Sequence, residues 1–515
     1  MTIGRILACG LILFGLAIPD ATRAQSKPPV IPRWALVVHK LALQAPSFSG
    51  SGGSPGVFPP VISQYLMSLN RSGITETFNQ AAPTNTASNA FFQSLGTNGR
   101  ACVTCHEPRS AWGVSAASIQ QRFVSTHGTD PIFRPIDGAT CDTDDVSSFQ
   151  AMRQAYSMLL SKGLIRIFLP LPDTQLGSNP PVPRDFEITS VSDPYGCTDL
   201  SSNPAVVSVY RRPLISANLR FLTACPSSDP ACSPLSIMWD GREPDLESQA
   251  TDATLGHAQA LQAPSATQLV QIVGFESNIF DAQIFDFQAG LLNGGGATGG
   301  PSSLSQQNFF IGINDSLSPG FDNIVFTLFD AWQNSTPSGT NDHLDNARVS
   351  IARGETLFNT KTFTISNVNG LNFEPADPLG QTGITGSCAT CHDAPNVGNH
   401  SLNLPLDIGV ADASRPAVDV SGLPIFTVQC TDTSGPLQGQ VFTVTDLGRA
   451  LITGKCSDVG KVKGPILHGL AARAPYFHNG SAATLNDVVD FYDQRFGIGF
   501  TDQEKADLVA FLKAL

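Results

Sequence analysis

The chain has 515 residues, 30 Lys and Arg against 43 Asp and Glu, and a formal net charge of −13. That acidic balance, with no Lys/Arg cluster, excludes a nucleic-acid partner, and the length allows two or more domains. The 46 Gly and 37 Pro residues point to a loop-rich protein held by covalent links.

Taken in chain order, Arg5, the apolar run Ile6–Ile18 and Thr22-Arg23-Ala24 read as an export signal cleaved near Ala24. The run is too short to span a membrane, so residues 1–24 are set apart from the fold. Val61–Leu69 reads as a helix, and Phe91-Phe92 leads toward Cys102-Val103-Thr104-Cys105-His106. Residues 136–205, rich in Pro, Asp, Ser and Gly, read as an insertion. Leu214–Leu222 reads as ordered, followed by Trp239-Asp240-Gly241-Arg242. Residues 294–303 read as a flexible loop. A boundary near residue 345 divides 25–345 from 346–515. Ile351–Phe358 then reads as a helix leading to Cys388-Ala389-Thr390-Cys391-His392. Thr484 to Asp487 and Thr501 to Glu504 have capping-box spacing. Leu485, Val488, Val489 and Tyr492, then Leu508, Phe511, Leu512 and Leu515, follow at helical spacing. Few strand alternations are visible, so the expected fold is mainly α.

The two Cys-x-x-Cys-His motifs carry the chemistry. Two thiols at this spacing match the two vinyl groups of a haem, and the adjacent His is aimed at its iron. A zinc pair or a redox dithiol explains a lone Cys-x-x-Cys, but both copies here carry the His. The expectation is two covalently bound c-type haems, on Cys102 and Cys105 and on Cys388 and Cys391, with His106 and His392 as iron ligands. Export and haem attachment together point to a bacterial periplasm. Setting aside Cys9 and the motif cysteines leaves six of the eleven. An even remainder suits three disulfides. Proximity suggests Cys225–Cys232 and Cys430–Cys456, which leaves Cys141–Cys197.

Several segments together resemble the bacterial di-haem cytochrome c peroxidase family, including its MauG-like branch. They are Phe91-Phe92; Trp239-Asp240-Gly241-Arg242 with Leu246, Gln249 and Ala250; Arg353-Gly354-Glu355-Thr356-Leu357-Phe358; and Ala474-Pro475-Tyr476-Phe477-His478-Asn479-Gly480-Ser481. The order is that of the family, and the resemblance covers most of the chain outside 136–205 and 285–340. It implies two cytochrome c-like haem domains with loop-rich insertions. The N-terminal haem would react with hydrogen peroxide. The C-terminal haem would accept electrons from a small cytochrome c or a cupredoxin, and Trp239 would relay them between the two. Family peroxidases are often homodimers.

Three departures from the family matter. A Met follows the family's Pro-Tyr-Phe-His histidine by 14 residues and binds the second iron, but here that position is Tyr492, as in the MauG-like branch. A Tyr oxygen is a hard ligand that lowers the potential. The family's catalytic carboxylate, 20 residues after the Trp, is Gln259 here. Gln259 cannot exchange protons, so His257 is the replacement acid–base. The family's second His on the first haem falls at Arg122, with His127 nearby but off register, which would leave that iron open. Arg211 and Arg473 stand at two positions of the family's calcium site, and two cations there oppose calcium binding. The leading expectation is a periplasmic peroxide-reducing oxidoreductase. A MauG-like oxidase or oxygenase acting on a partner protein or organic substrate is the second reading, and a non-catalytic di-haem electron carrier the third.

Overall fold

The computed structural model describes residues 59–515, apart from 175–180, 226–236, 336–341, 374–382, 416 and 434. The export signal read at 1–24 and Cys232 of one expected disulfide therefore lie outside the described residues. Helix accounts for 30% and strand for 17%, so the expectation of a mainly α fold gives way to a mixture of helices and small sheets.

The largest sheet is four-stranded and antiparallel. Its order is Tyr65–Leu69, Gly73–Asn79, Ile279–Asp286 and Gly290–Leu291. The helix expected over Val61–Leu69 is instead a short strand, Val61–Ile62, followed by the edge of this sheet. Asn70 makes the turn. Its Oδ1 accepts from the backbone N–H groups of Ser72 and Gly73, both at 2.9 Å, a side-chain turn that competes with helix. The central strand Gly73–Asn79 is buried on both faces although it carries Thr75, Glu76, Thr77 and Asn79. Its polar groups are matched locally, with Thr77 donating to Asp281 at 2.7 Å and Trp112 Nε1 donating to Thr77 at 2.8 Å. Polar residues facing a core erase the alternation by which strands are read from sequence.

The stretch 136–205 is not an appended insertion. It forms the helices Phe149–Ala155 and Ser157–Lys162 and the strands Ile165–Pro170 and Phe186–Ser192. Ile165–Pro170 pairs with Val206–Arg211. Phe186–Ser192 pairs with Ile425–Cys430, which pairs in turn with Val441–Val444. One core cluster joins Tyr156, Leu159, Ile167 and Val209 to Phe426, Val428 and Leu451. The disulfides Cys141–Cys197 and Cys430–Cys456 fasten this region. The expected flexible loop at 294–303 is packed. Gly294 O accepts from Trp332 Nε1 at 3.0 Å, and the helical turn Pro301–Leu304 buries Pro301 and Leu304.

The C-terminal helices follow the sequence closely. Thr484 and Thr501 each close a capping box, onto Leu485–Phe496 and Asp502–Ala514. The helix expected at Ile351–Phe358 extends over Asp342–Thr360, so the boundary expected near 345 falls inside it. This helix packs along Asp502–Ala514 at a contact only glycine permits. A Cβ on Gly354 would lie 2.1 Å from the Asp507 carbonyl oxygen. Beside it, Arg353 holds the Asp507 carboxylate through Nε at 2.7 Å and Nη2 at 2.9 Å. Glu355, fully buried, accepts from the Phe329 N–H. The Arg-Gly-Glu segment is thus a helix-packing device beside the second motif. No helix among the described residues is long and apolar enough to cross a membrane.

Candidate functional site

The two Cys-x-x-Cys-His motifs adopt the same local geometry. Each begins as a single helical turn, at Cys102–Cys105 and at Cys388–Thr390. In each, the Thr before the second Cys bonds back to the residue before the first: Ala101 N–H donates to Thr104 Oγ1 and Ser387 N–H to Thr390 Oγ1, both at 3.0 Å. In each, the His N–H donates to the first Cys carbonyl at 3.1 Å. His106 Nδ1 donates to Trp112 O at 3.1 Å, and His392 Nδ1 donates to Gly398 O at 2.7 Å, both six residues on. A carbonyl can only accept, so both rings carry their proton on Nδ1 and present Nε2 as the lone-pair ligand. Burial lowers both imidazoles, His106 to about 4, which keeps them in the neutral form that binds metal. All four motif thiols are free and half-buried.

The first motif opens into a cleft whose lining includes Cys102, Cys105, His106 and His257. Its walls are largely aliphatic, with Leu214, Ile215, Leu219 and Leu246 among them. Arg473 and Lys463 also reach it, and Arg473 Nε is buried without a hydrogen-bond partner. Free thiols, an aliphatic wall and cations aimed inward fit haem, a flat apolar ring carrying two carboxylates. Phe91 packs on the His106 side, its ring centre 6.5 Å from the imidazole.

On the cleft wall, His257 Nδ1 is bonded to Asp137 Oδ2 at 2.5 Å, and Asp137 Oδ1 accepts from Arg100 Nη1 at 2.5 Å. Asp137 is buried. Burial alone would raise its carboxyl, but Arg100 and His257 outweigh it and hold it below the ordinary range. With Nδ1 engaged by Asp137, Nε2 is the His257 ring nitrogen left for other partners. Gln259 is not brought to the cleft. It is exposed, with its amide oxygen 3.3 Å from Asn98 Nδ2. Arg122 is committed to Asp130 and to Thr104 O, and His127 caps a helix at the surface.

At the second motif, Tyr492 projects from Leu485–Phe496 toward the thiols. Burial, then Cys391 and Cys388, push its hydroxyl well above the ordinary range. Phe477 lies 6.3 Å from Tyr492, ring centre to ring centre, and the neighbouring His478 lies 6.0 Å from Trp239. Trp239 Nε1 donates to Arg212 O at 2.7 Å, and the preceding Met238 lines the first cleft. Trp239 thus lies between the two motifs, touching His478 on the side of the second and adjoining Met238 on the side of the first. Beneath it, Arg211 lies between two buried carboxylates, bonding Asp446 at 2.6 and 2.8 Å and Asp240 at 2.5 Å. The two aspartates thus share one fixed cation, the Arg211 guanidinium.

The sequence did not disclose Asp137, Arg100 or Glu276. Glu276 is a buried carboxyl lining the cleft near Cys102, raised to about 8 by burial. Arg100, two residues before the motif, carried the only local signal.

Residues 462–497 match the model of a family described as RoxA-like, cytochrome c-like. A cytochrome-c peroxidase of Denitromonas iodatirespirans, IdrP2, is 35% identical over 140 residues, 25% of this chain and 36% of the relative. A cytochrome-c peroxidase of Pseudomonas sp. (strain SCT), IdrP1, is 41% identical over 81 residues, 14% of this chain and 21% of the relative. The chain thus spans about a third or less of the length of these two relatives. Among solved structures, a MauG-like protein associated with microbial copper homeostasis aligns at 18% identity and a TM-score of 0.27, over 60% of this chain and 76% of that one. A single-residue variant of the diheme peroxidase BthA from Burkholderia thailandensis aligns at 12% identity and a TM-score of 0.30, over 88% of this chain and 95% of that one. Scores this low carry no argument about the fold.

Proposed function

We propose that this chain, a relative of the di-haem cytochrome c peroxidases, is a periplasmic oxidoreductase that reduces hydrogen peroxide with electrons from a small cytochrome c or cupredoxin. The observation that carries the reading is the repeated motif geometry. Two Cys-x-x-Cys-His turns, each with free thiols and an Nδ1-anchored His, would each hold one covalent haem c. Residues 25–345 would carry the first and 346–515 the second.

When bound, the haems supply the iron that exchanges electrons with peroxide. The chain's own residues do the rest. His106 Nε2 and His392 Nε2 are the iron ligands. Asp137 orients His257, which takes a proton from one peroxide oxygen and returns it to the other. Trp239 passes electrons between the two sites. Tyr492 offers an oxygen to the second iron, and that hard ligand favours the alternative of a MauG-like oxidase acting on a partner protein or organic substrate.

The test is the absorption and EPR spectrum of the purified ferric protein before and after one equivalent of peroxide. The expected result is two covalent haems per chain, one high-spin and one low-spin, with a prompt change on adding peroxide. Two low-spin haems that ignore peroxide in both the ferric and the half-reduced protein would mark a plain electron carrier and end the reading.

A further inference from the structure

Two guanidinium groups at the first cleft lack the partner that buried cations ordinarily have. Arg473 lines the cleft. Its Nη2 donates to Ile466 O at 2.8 Å, and its Nε is buried with no hydrogen-bond partner. Arg212 is 6% exposed. Its Nη2 donates to Val114 O and to Arg473 O, both at 2.6 Å, and its Nη1 is buried without a partner. Among the described residues neither guanidinium forms an ion pair, and carbonyl groups alone hold both. The adjacent arginines differ. Arg211 binds Asp240 and Asp446, and Arg100, also in the cleft, binds Asp137. Burial lowers Arg473 to about 10, with Tyr476 and Asp281 opposing it, and burial, then Arg473, lower Arg212 to about 9. Asp281 does not supply the missing charge. Burial pushes its own carboxyl well above the ordinary range, and its Oδ2 accepts from Thr77.

A buried cation left unpaired is costly, and orphaned buried polar atoms call for a group that completes them. A haem fixed through its vinyl groups to Cys102 and Cys105 carries two propionates on the opposite edge of its ring. Arg473 and Lys463 enter the cleft from residues 463–473, a different segment from the motif turn Cys102–Cys105. We infer that Arg473 and Lys463 hold the propionates of the first haem, with Arg212 as the buried support that positions Arg473. This rests on the haem-binding part of the reading above and is independent of what the haem reacts with. A guanidinium is the side chain best shaped to meet a carboxylate. Arg100 does not compete, because Asp137 and the Pro131 and Ile132 carbonyls already engage it. Arg212 O also accepts from Trp239 Nε1. The residue that supports the anchor therefore receives the indole too, which ties the propionate edge of the haem to the aromatic side chain between the motifs.

Resonance Raman spectra of the holoprotein follow the propionate bending band, and spectroelectrochemical titration gives the potential of each haem. A cation beside a propionate favours the reduced iron, which carries one positive charge fewer. Arg473→Gln and Lys463→Gln are each expected to shift the band and lower the potential of the high-spin haem. The other haem and the covalent haem content should be unchanged. Arg473→Lys, which keeps the charge, should recover most of the potential, a rescue that a merely structural role would not give. A band and potentials unchanged in Arg473→Gln overturn the inference. Should that variant fail to fold, Lys463→Gln decides the matter by the same two readouts. A wild-type protein without haem on Cys102 and Cys105 would sink the haem reading, and this inference with it.

Discussion

Replacing Arg211 by Met measures what holds the two halves of the site together. The guanidinium is almost fully buried, as are Asp240 and Asp446. Burial pushes the Asp240 carboxyl up, but Arg242 and Arg211 outweigh it and hold it at about 2. Against an ordinary aspartate near 3.9, that depression corresponds to roughly 2–3 kcal/mol. Asp446 is also held low, chiefly by Arg211 working against burial. Removing one partner of a buried ion pair typically costs about 3–5 kcal/mol, so Arg211→Met should lose that much at neutral pH. Carboxylates with depressed folded-state pKa values stabilise above about pH 4 and lose that contribution as pH falls through about 2. The variant lacks the part of this contribution that Arg211 supplies, while Arg242 still faces Asp240, so its buried aspartates protonate more readily than in wild type. The gap between the proteins should therefore be full at about pH 7 and narrow toward about pH 3. Urea unfolding of both holoproteins across that range checks it. A loss under about 1 kcal/mol at neutral pH, or a gap unaffected by acid, would refute the reasoning.

Gly354→Ala must push apart a pair of packed helices to relieve a 2.1 Å clash. It should cost about 1–3 kcal/mol, visible as a lowered Tm with spectra unchanged. Tyr492→Phe should shift the ferric absorption spectrum and raise the potential of one haem only, and an unaltered spectrum would remove Tyr492 as a ligand. His257→Ala should slow the reaction with peroxide about 100-fold or more, and a rate within a few-fold of wild type would exclude its acid–base role.

What the sequence made legible was local. The haem motifs are complete in five residues. The C-terminal helices announce themselves through Thr484 and Thr501 and a regular apolar spacing. Tyr492 was reached through the family resemblance, 14 residues beyond His478, with the helical spacing as support. What stayed hidden depends on distant partners. Thr77 looks like a surface residue until Asp281 and Trp112 are seen to satisfy it. Gln259 and His257 are two residues apart, yet only His257 meets the cleft, because the chain turns at Gln259 with a positive φ. Asp137 sits in a stretch whose composition suggested a loop, and its meaning comes from Arg100 and His257. Residues 136–205 read as an insertion because Pro and Gly mask short strands, one of whose hydrogen-bond partners lies far along the chain.

That last pairing governs the order in which the molecule can be made. Among the described residues, Phe186–Ser192 finds its strand neighbour only in Ile425–Cys430, beyond Trp239 and the second motif. A ribosome or export channel delivering the chain from its start releases the first strand long before the second. Until then the early strand offers an open edge, the kind of surface on which unfinished chains associate. The long wait for a distant partner predicts slow folding. It also predicts that chains truncated before residue 425, although they contain the whole first motif, cannot complete its supporting core.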